Sequence, residues 1–247
     1  MEHHIRNGHE LAWGGKLPAM GDFVWSAERT QLRAGLDHWL ESGLQQFRLC
    51  VGDPWRTAFD QAPMWNFVVP SRALAASWVA GCISPSCDRV GRRFPLVVAY
   101  RFPEAKEGAA LALVMGALPE LLSSTGAILF QGISRSWMRD ALASALDSNF
   151  VHWPGNMGSP ATEAESTSDI MDVLLGTSGH ADGHITTQPL RRNHSFPWSD
   201  MARSFDPHSA TSFWWTNGAG GAPLKAFTYD GPLGGLPMAW LFGNRLG

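Results

Sequence analysis

The chain has 247 residues, 45% of them apolar and only 17% charged, which is enough apolar surface to offset the cost of ordering and excludes a disordered protein. Its formal net charge of −3 and the lack of a basic stripe with interleaved aromatics exclude a general attraction to nucleic acid or acidic membranes. Three cysteines, Cys50, Cys82 and Cys87, cannot all pair, and an odd count without a regular framework points to a reducing compartment.

The chain opens on "MEHHIRNGHE", polar, histidine-rich and without an apolar signal core. Residues 1–10 are therefore expected to form a mobile tail on a cytoplasmic protein. No run of about 18 apolar residues is evident, so no membrane insertion is expected. "KLPAMGD" reads as a strand end followed by a turn. In "TQLRAGLDHWLESGLQQFRLC", Leu32, Leu36, Trp39, Leu40, Leu44 and Phe47 recur on one face of a helix. Arg33, Asp37, Glu41, Gln45 and Arg48 fall on the other, and "GDP" from Gly52 supplies the stop and the next turn.

Three strand-like runs follow: "MWNFVVP", "ASWVAGCI" and "FPLVVAYRF". Their short links predict antiparallel neighbours, since a parallel crossover needs a dozen residues or more. A helical region is expected from about residue 104 to about residue 146, broken near Gly126 and Gly132. Its second part, "SWMRDALASAL", puts Trp137, Leu142 and Leu146 on a shared face. From Trp153 to about Pro207 the chain turns rich in Gly, Ser, Thr, His and Pro around one short apolar run, "DIMDVLLG", and reads as an irregular insertion. "ATSFWWTN" and "LKAFTYDG" are two further strands around a glycine-rich turn, and "PMAWLF" a short closing helix. There is no internal repeat. The architecture expected is one α/β domain over residues 11–247, a mixed β-sheet covered by helices on both faces as a layered sandwich.

Chemical signatures are sparse. "GGK" at Gly14–Lys16 is followed by Leu17 rather than Ser or Thr and lacks the glycine five residues before Gly15, so it is no phosphate loop. "NGAGG" sits between strands and reads as a hairpin turn. Four residues separate Cys82 from Cys87, which fits neither a redox pair nor a zinc knuckle, and free cysteines are mostly small buried hydrophobes. His180, Asp182 and His184 form "HADGH", a composition able to bind a transition metal, but no further ligands follow at a recognisable spacing, so a solvated loop is the plainer reading. No "GxSxG", "HExxH" or paired-carboxylate pattern is present, and neither a cofactor nor an enzymatic activity is expected. Of the twelve tryptophans, Trp39, Trp65, Trp78, Trp137 and Trp214 fall at core positions by pattern.

The densest polar cluster is "CISPSCDRVGRRFPLVVAYRF". Within it, "SCDRVGRRFPLVV" resembles the "S-x-D-x-x-G-R-x-F-P-L" stretch of the TagF family, accessory proteins of bacterial type VI secretion systems. "GGKLPAMGDFV" near the N-terminus resembles that family's "GKLPxxGDF" opening. "LDHWLESGL", "APMWNFVV" and "SFWWTN" are similar to its amphipathic helix, its "P-x-W-x-F" strand and its strand with paired tryptophans. The resemblance covers about residues 11–102 and returns near Ser212. It implies an α/β sandwich-like domain and a post-translational repressor of secretion. It also implies a forkhead-associated scaffold protein as partner, beside a threonine kinase and phosphatase pathway. The residues that carry it, Lys16, Asp22, Ser86, Asp88, Arg89 and Arg92, are the candidate site. Asp88 can accept backbone N–H bonds or pair with Arg89 or Arg92, and Gly91 permits a left-handed turn. The cluster either braces the connection between two strands or docks a partner. Two other readings stand beside the regulator: a metal-dependent hydrolase built on the His180–His184 loop, and a structural subunit of the secretion machine.

Overall fold

A computed structural model of the chain describes residues 5–6, 8–26, 30–103, 109–153, 204–217, 225–233 and 235–243. The strands are β1 (Ile5–Arg6), β2 (His9–Gly15), β3 (Val24–Trp25), β4 (Trp65–Val69), β5 (Val79–Ser84), β6 (Leu96–Arg101), β7 (Thr211–Thr216) and β8 (Ala226–Asp230). The helices are α1 (Gln31–Val51), α2 (Trp55–Gln61), α3 (Ala109–Ser134), α4 (Arg139–Val151) and α5 (Gly235–Phe242). The strands form one sheet in the order β1-β2-β6-β5-β4-β7-β8, with β3 beside β2. Every pairing is antiparallel, which the short links require for β4, β5 and β6 and which holds also for the sequence-distant pairs β2–β6 and β4–β7.

The layered sandwich is present, and the strand sequences show why. Side chains alternate between two cores. Leu11, Trp13, Cys82, Val98 and Tyr100 face one core with α3 and α4. Ala12, Phe67, Ile83, Val97 and Trp214 face the other with α1, α2 and α5. A sheet buried on both faces needs apolar residues at every position, which is why β4 to β6 read as continuous apolar runs rather than alternating ones.

Helix α1 follows its period closely. Thr30 Oγ1 accepts the Arg33 amide at 3.1 Å as N-cap. At the far end Gly52 takes φ 71° and its N–H donates to the Arg48 carbonyl. All six residues expected on the apolar face are buried. Helix α5 packs close on α1 at Gly43, where a Cβ would come within 2.9 Å of Met238 Cε.

Several expectations need correction. Residues 5–6 pair with 9–10, and His9 and Glu10 are buried, so part of the expected tail is sheet edge. Glu10 Oε2 accepts Arg101 Nε at 2.7 Å, holding that edge against β6. Helix α2 fills what read as a turn. Phe59 alone is buried there, so no periodic stripe marks it. Helix α3 runs unbroken through Pro119, Gly126 and Gly132. Gly126 and Gly132 are close approaches rather than breaks: a Cβ on Gly126 would lie 3.1 Å from Asn217 Nδ2, and one on Gly132 would lie 3.2 Å from Leu142 Cδ1. Residues Leu111–Ser134 are long and apolar enough to cross a membrane by length and composition, contrary to expectation. Met115, Leu118, Leu121, Leu122 and Leu129 of that helix are buried in the core beneath the sheet, which accounts for part of its apolarity, whereas Leu113 and Phe130 are exposed. The expected insertion, with its short helix and the histidine loop, lies outside the described residues from 154 to 203.

Candidate functional site

The polar cluster is the hairpin that joins β5 to β6. Ser84 faces Leu96 in the ladder, and Cys87 and Arg93 form a further bridge towards the tip. The Phe94 amide donates to the Ser86 carbonyl at 3.1 Å, and the Gly91 amide to the Asp88 carbonyl at 2.9 Å. Gly91 takes φ 81°, which a side chain would strain.

Asp88 is the hub of this tip. Its Oδ1 accepts the Val90 amide at 3.1 Å and the Arg92 amide at 2.9 Å. Its Oδ2 accepts Lys16 Nζ at 2.8 Å and Arg92 Nε at 2.6 Å. Four donors thus fill a carboxylate's capacity. Burial pushes this carboxyl's pKa up. The bonds from Lys16, from the Arg92 amide and from the Arg92 guanidinium outweigh burial and hold it well below the usual carboxylate range.

The first family-like motif meets the second here. Ser86 Oγ donates to the Lys16 carbonyl at 2.7 Å, and the Arg89 amide to the Met20 carbonyl at 2.8 Å. Arg92 Nη2 donates to the Gly21 carbonyl at 2.6 Å. The ladder register brings them together by placing Gly15 opposite Leu96. At Gly15, φ is 130° and a Cβ would fall 1.9 Å from the Pro95 carbonyl oxygen, so glycine is required there twice over. Gly15→Ala is expected to cost at least about 2 kcal/mol in denaturant unfolding. An unfolding curve that matches wild type would show that the two motifs can separate freely.

Five of the six candidates converge on one corner. Asp88, Lys16 and Ser86 are buried there, whereas Arg89 and Arg92 are exposed. The Arg89 guanidinium has no hydrogen-bond or ion-pair partner among the described residues. Asp22 stands apart: it is exposed, and among the described residues its Oδ1 accepts only the amide of its neighbour Phe23.

Beside the hairpin lies a groove of about 580 Å³, walled by α1, the start of α2 and the hairpin's return arm. Sequence reading missed its central feature. Trp55 carries the Arg48 guanidinium 4.4 Å and the Arg56 guanidinium 5.0 Å from its ring centre. The signal was present as "RLCVGDPWR", two arginines around a tryptophan across a turn, but Arg48 read only as solvent face. Arg93 closes one end by a fork onto Asp60, with Nε at 2.8 Å from Oδ1 and Nη2 at 2.6 Å from Oδ2. Phe23 and Phe94 add an edge-to-face aromatic pair at 4.7 Å.

Neither Cys82 nor Cys87 is activated as a nucleophile at this site. Cys82 is buried in the sheet, its Sγ donating to Asn66 Oδ1 at 3.1 Å, and burial pushes its thiol pKa up. Burial also raises Cys87, aided by the charge of Asp88. Among the described residues no cluster of His, Cys, Asp and Glu could hold a metal ion, and His180, Asp182 and His184 lie outside them.

Residues 12–148 match the family model of the TagF N-terminal domain, described as type VI secretion system-associated. No curated protein sequence matches the chain. In fold the chain is similar to the crystal structure of PA0076 from Pseudomonas aeruginosa PAO1, with a TM-score of 0.63 and 22% identity over 96% of both chains.

Proposed function

The chain belongs to the TagF N-terminal domain family of type VI secretion-associated proteins, and on that premise we propose that it is a non-enzymatic regulator that represses secretion by binding a protein partner. The observation that carries this reading is the division of labour at the hairpin. Asp88 is buried and saturated, so the loop is rigid. The Arg92 side chain is 60% exposed, and Arg89 is free at the same tip. A rigid loop that displays arginines suits capture of a carboxylate or phosphate on a partner. The partner we propose is the forkhead-associated scaffold protein of the secretion system, met in the cytoplasm.

Arg89 separates docking from bracing, because its side chain pairs with none of the described residues. Arg89→Glu is expected to leave the thermal midpoint unchanged and to raise the amount of a secreted type VI substrate to that of a strain lacking the chain. Full repression by the folded variant would remove Arg89 from the docking surface. Pull-down from the native organism reads the partner. Recovery of the scaffold, lost in Arg89→Glu, supports regulation, and recovery of baseplate or sheath components would make the chain a structural subunit.

A further inference from the structure

The groove beside the hairpin holds unspent positive charge. Lys16 is taken by Asp88, Arg92 by Asp88 and the Gly21 carbonyl, and Arg93 by Asp60. Arg48 and Arg56 have no carboxylate partner among the described residues. Both are exposed, and both stack on Trp55, so two like charges share one indole. Stacking orders a planar guanidinium and leaves its edge N–H groups free for a planar acceptor. Glu41 is the single acid among the lining residues. Leu44, Phe23 and Phe94 supply apolar wall between the cations.

We propose that this groove binds an acidic segment of a protein partner, its carboxylates held by Arg48 and Arg56 and an apolar side chain lodged against Trp55 and Leu44. The inference rests on the reading that the chain acts by binding a protein, and it adds the chemistry of what is bound. Charge complementarity selects the occupant. The chain as a whole is acidic, with a formal charge of −3, so these cations form a local site rather than part of a broad basic field such as a nucleic-acid duplex needs. A groove of about 580 Å³ is larger than a single small anion requires and has the size of a site that surrounds a drug-sized ligand. Partial desolvation and the nearby charge of Arg56 both disfavour the cationic form of the exposed Arg48, and an anion laid across the pair relieves the second of these.

The test is fluorescence anisotropy of the full chain at low salt with three labelled probes: a random Glu/Tyr copolymer, a random Lys/Tyr copolymer and a short DNA duplex. The Glu/Tyr copolymer is expected to bind and the other two not. Arg48→Gln with Arg56→Gln keeps much of each side-chain stem on Trp55 and removes the charge. This double variant is expected to weaken copolymer binding at least about tenfold, as loss of two charge-assisted contacts does. Arg135→Ala, at an exposed position past the end of α3 and outside the groove lining, is expected to leave that binding within about twofold. Equal binding by the double variant, equal binding of the Lys/Tyr copolymer, or DNA binding that depends on Arg48 and Arg56 would each overturn the proposal. The two readings fail separately. Equal binding by the double variant defeats the groove whatever secretion shows. Unchanged secretion from a strain lacking the chain defeats regulation whatever the groove binds.

Discussion

Trp39→Ala is expected to destabilise the protein by about 3–5 kcal/mol in denaturant unfolding, the range for deleting a large buried aromatic. Trp39 is 1% exposed at the centre of the α1 face. Its ring lies 5.8 Å from that of Trp214 and 6.1 Å from that of Phe67, so it joins α1 to the middle of the sheet. Phe67 and Trp214 belong to paired strands, which limits how far they can move into the space. The indole N–H has no hydrogen-bond partner among the described residues, so the side chain acts there as a hydrocarbon plate. Trp39→Phe, which keeps a ring and removes that N–H, is therefore expected to recover more than half of the loss. A cost below about 1 kcal/mol for Trp39→Ala would mean that the face of α1 is not a core face.

Asp88→Asn is expected to lower the thermal midpoint well beyond Asp60→Asn, although each substitution removes a carboxylate that pairs with an arginine. Asp60 is half exposed, and solvent screens its pair with Arg93. Asp88 is buried, and so is Lys16, so neutralising Asp88 strands a cation away from water. The pH dependence has a definite sign. The folded pKa of Asp88 lies below the unfolded one, so its contribution is fully present above the unfolded value near 3.8 and is lost as pH falls from there toward the folded value. The wild-type midpoint is expected to fall between about pH 5 and about pH 2 more steeply than that of Asp88→Asn. Parallel curves for the two proteins would remove the carboxylate from the brace.

Much of the scaffold was legible because its signals are local. The apolar period of α1 and the stop at Gly52 lie within one stretch of chain. β4, β5 and β6 appear as apolar runs with links too short for a crossover. Asp88 and Gly91 could be read as turn residues because an Asx turn and a left-handed glycine act over four positions. Other features carried no local signal. Helix α2 buries one side chain and so has no period to detect. Gly126 and Gly132 look like helix breakers until a neighbouring element is seen pressed against them. The first strands look like a polar tail, since the burial of His9 and Glu10 depends on what packs over them.

The candidate site divides along the same line. The sequence by itself determined which two stretches stand out, because the family-like motifs could be recognised as strings, and it determined that Asp88 and Gly91 would sit in a turn between two strands. Only the tertiary structure decided that Lys16 and Asp88, 72 positions apart, form one buried pair, that Asp22 stays outside it, and that Arg48, Trp55 and Arg56 form the wall of a groove beside it. The physical reason is that periodicity and turn chemistry act over a few residues. The meeting of remote side chains is set by sheet register and helix docking instead. Here one register, Gly15 opposite Leu96, brings the Lys16 ammonium to the Asp88 carboxylate and leaves the arginines facing outward.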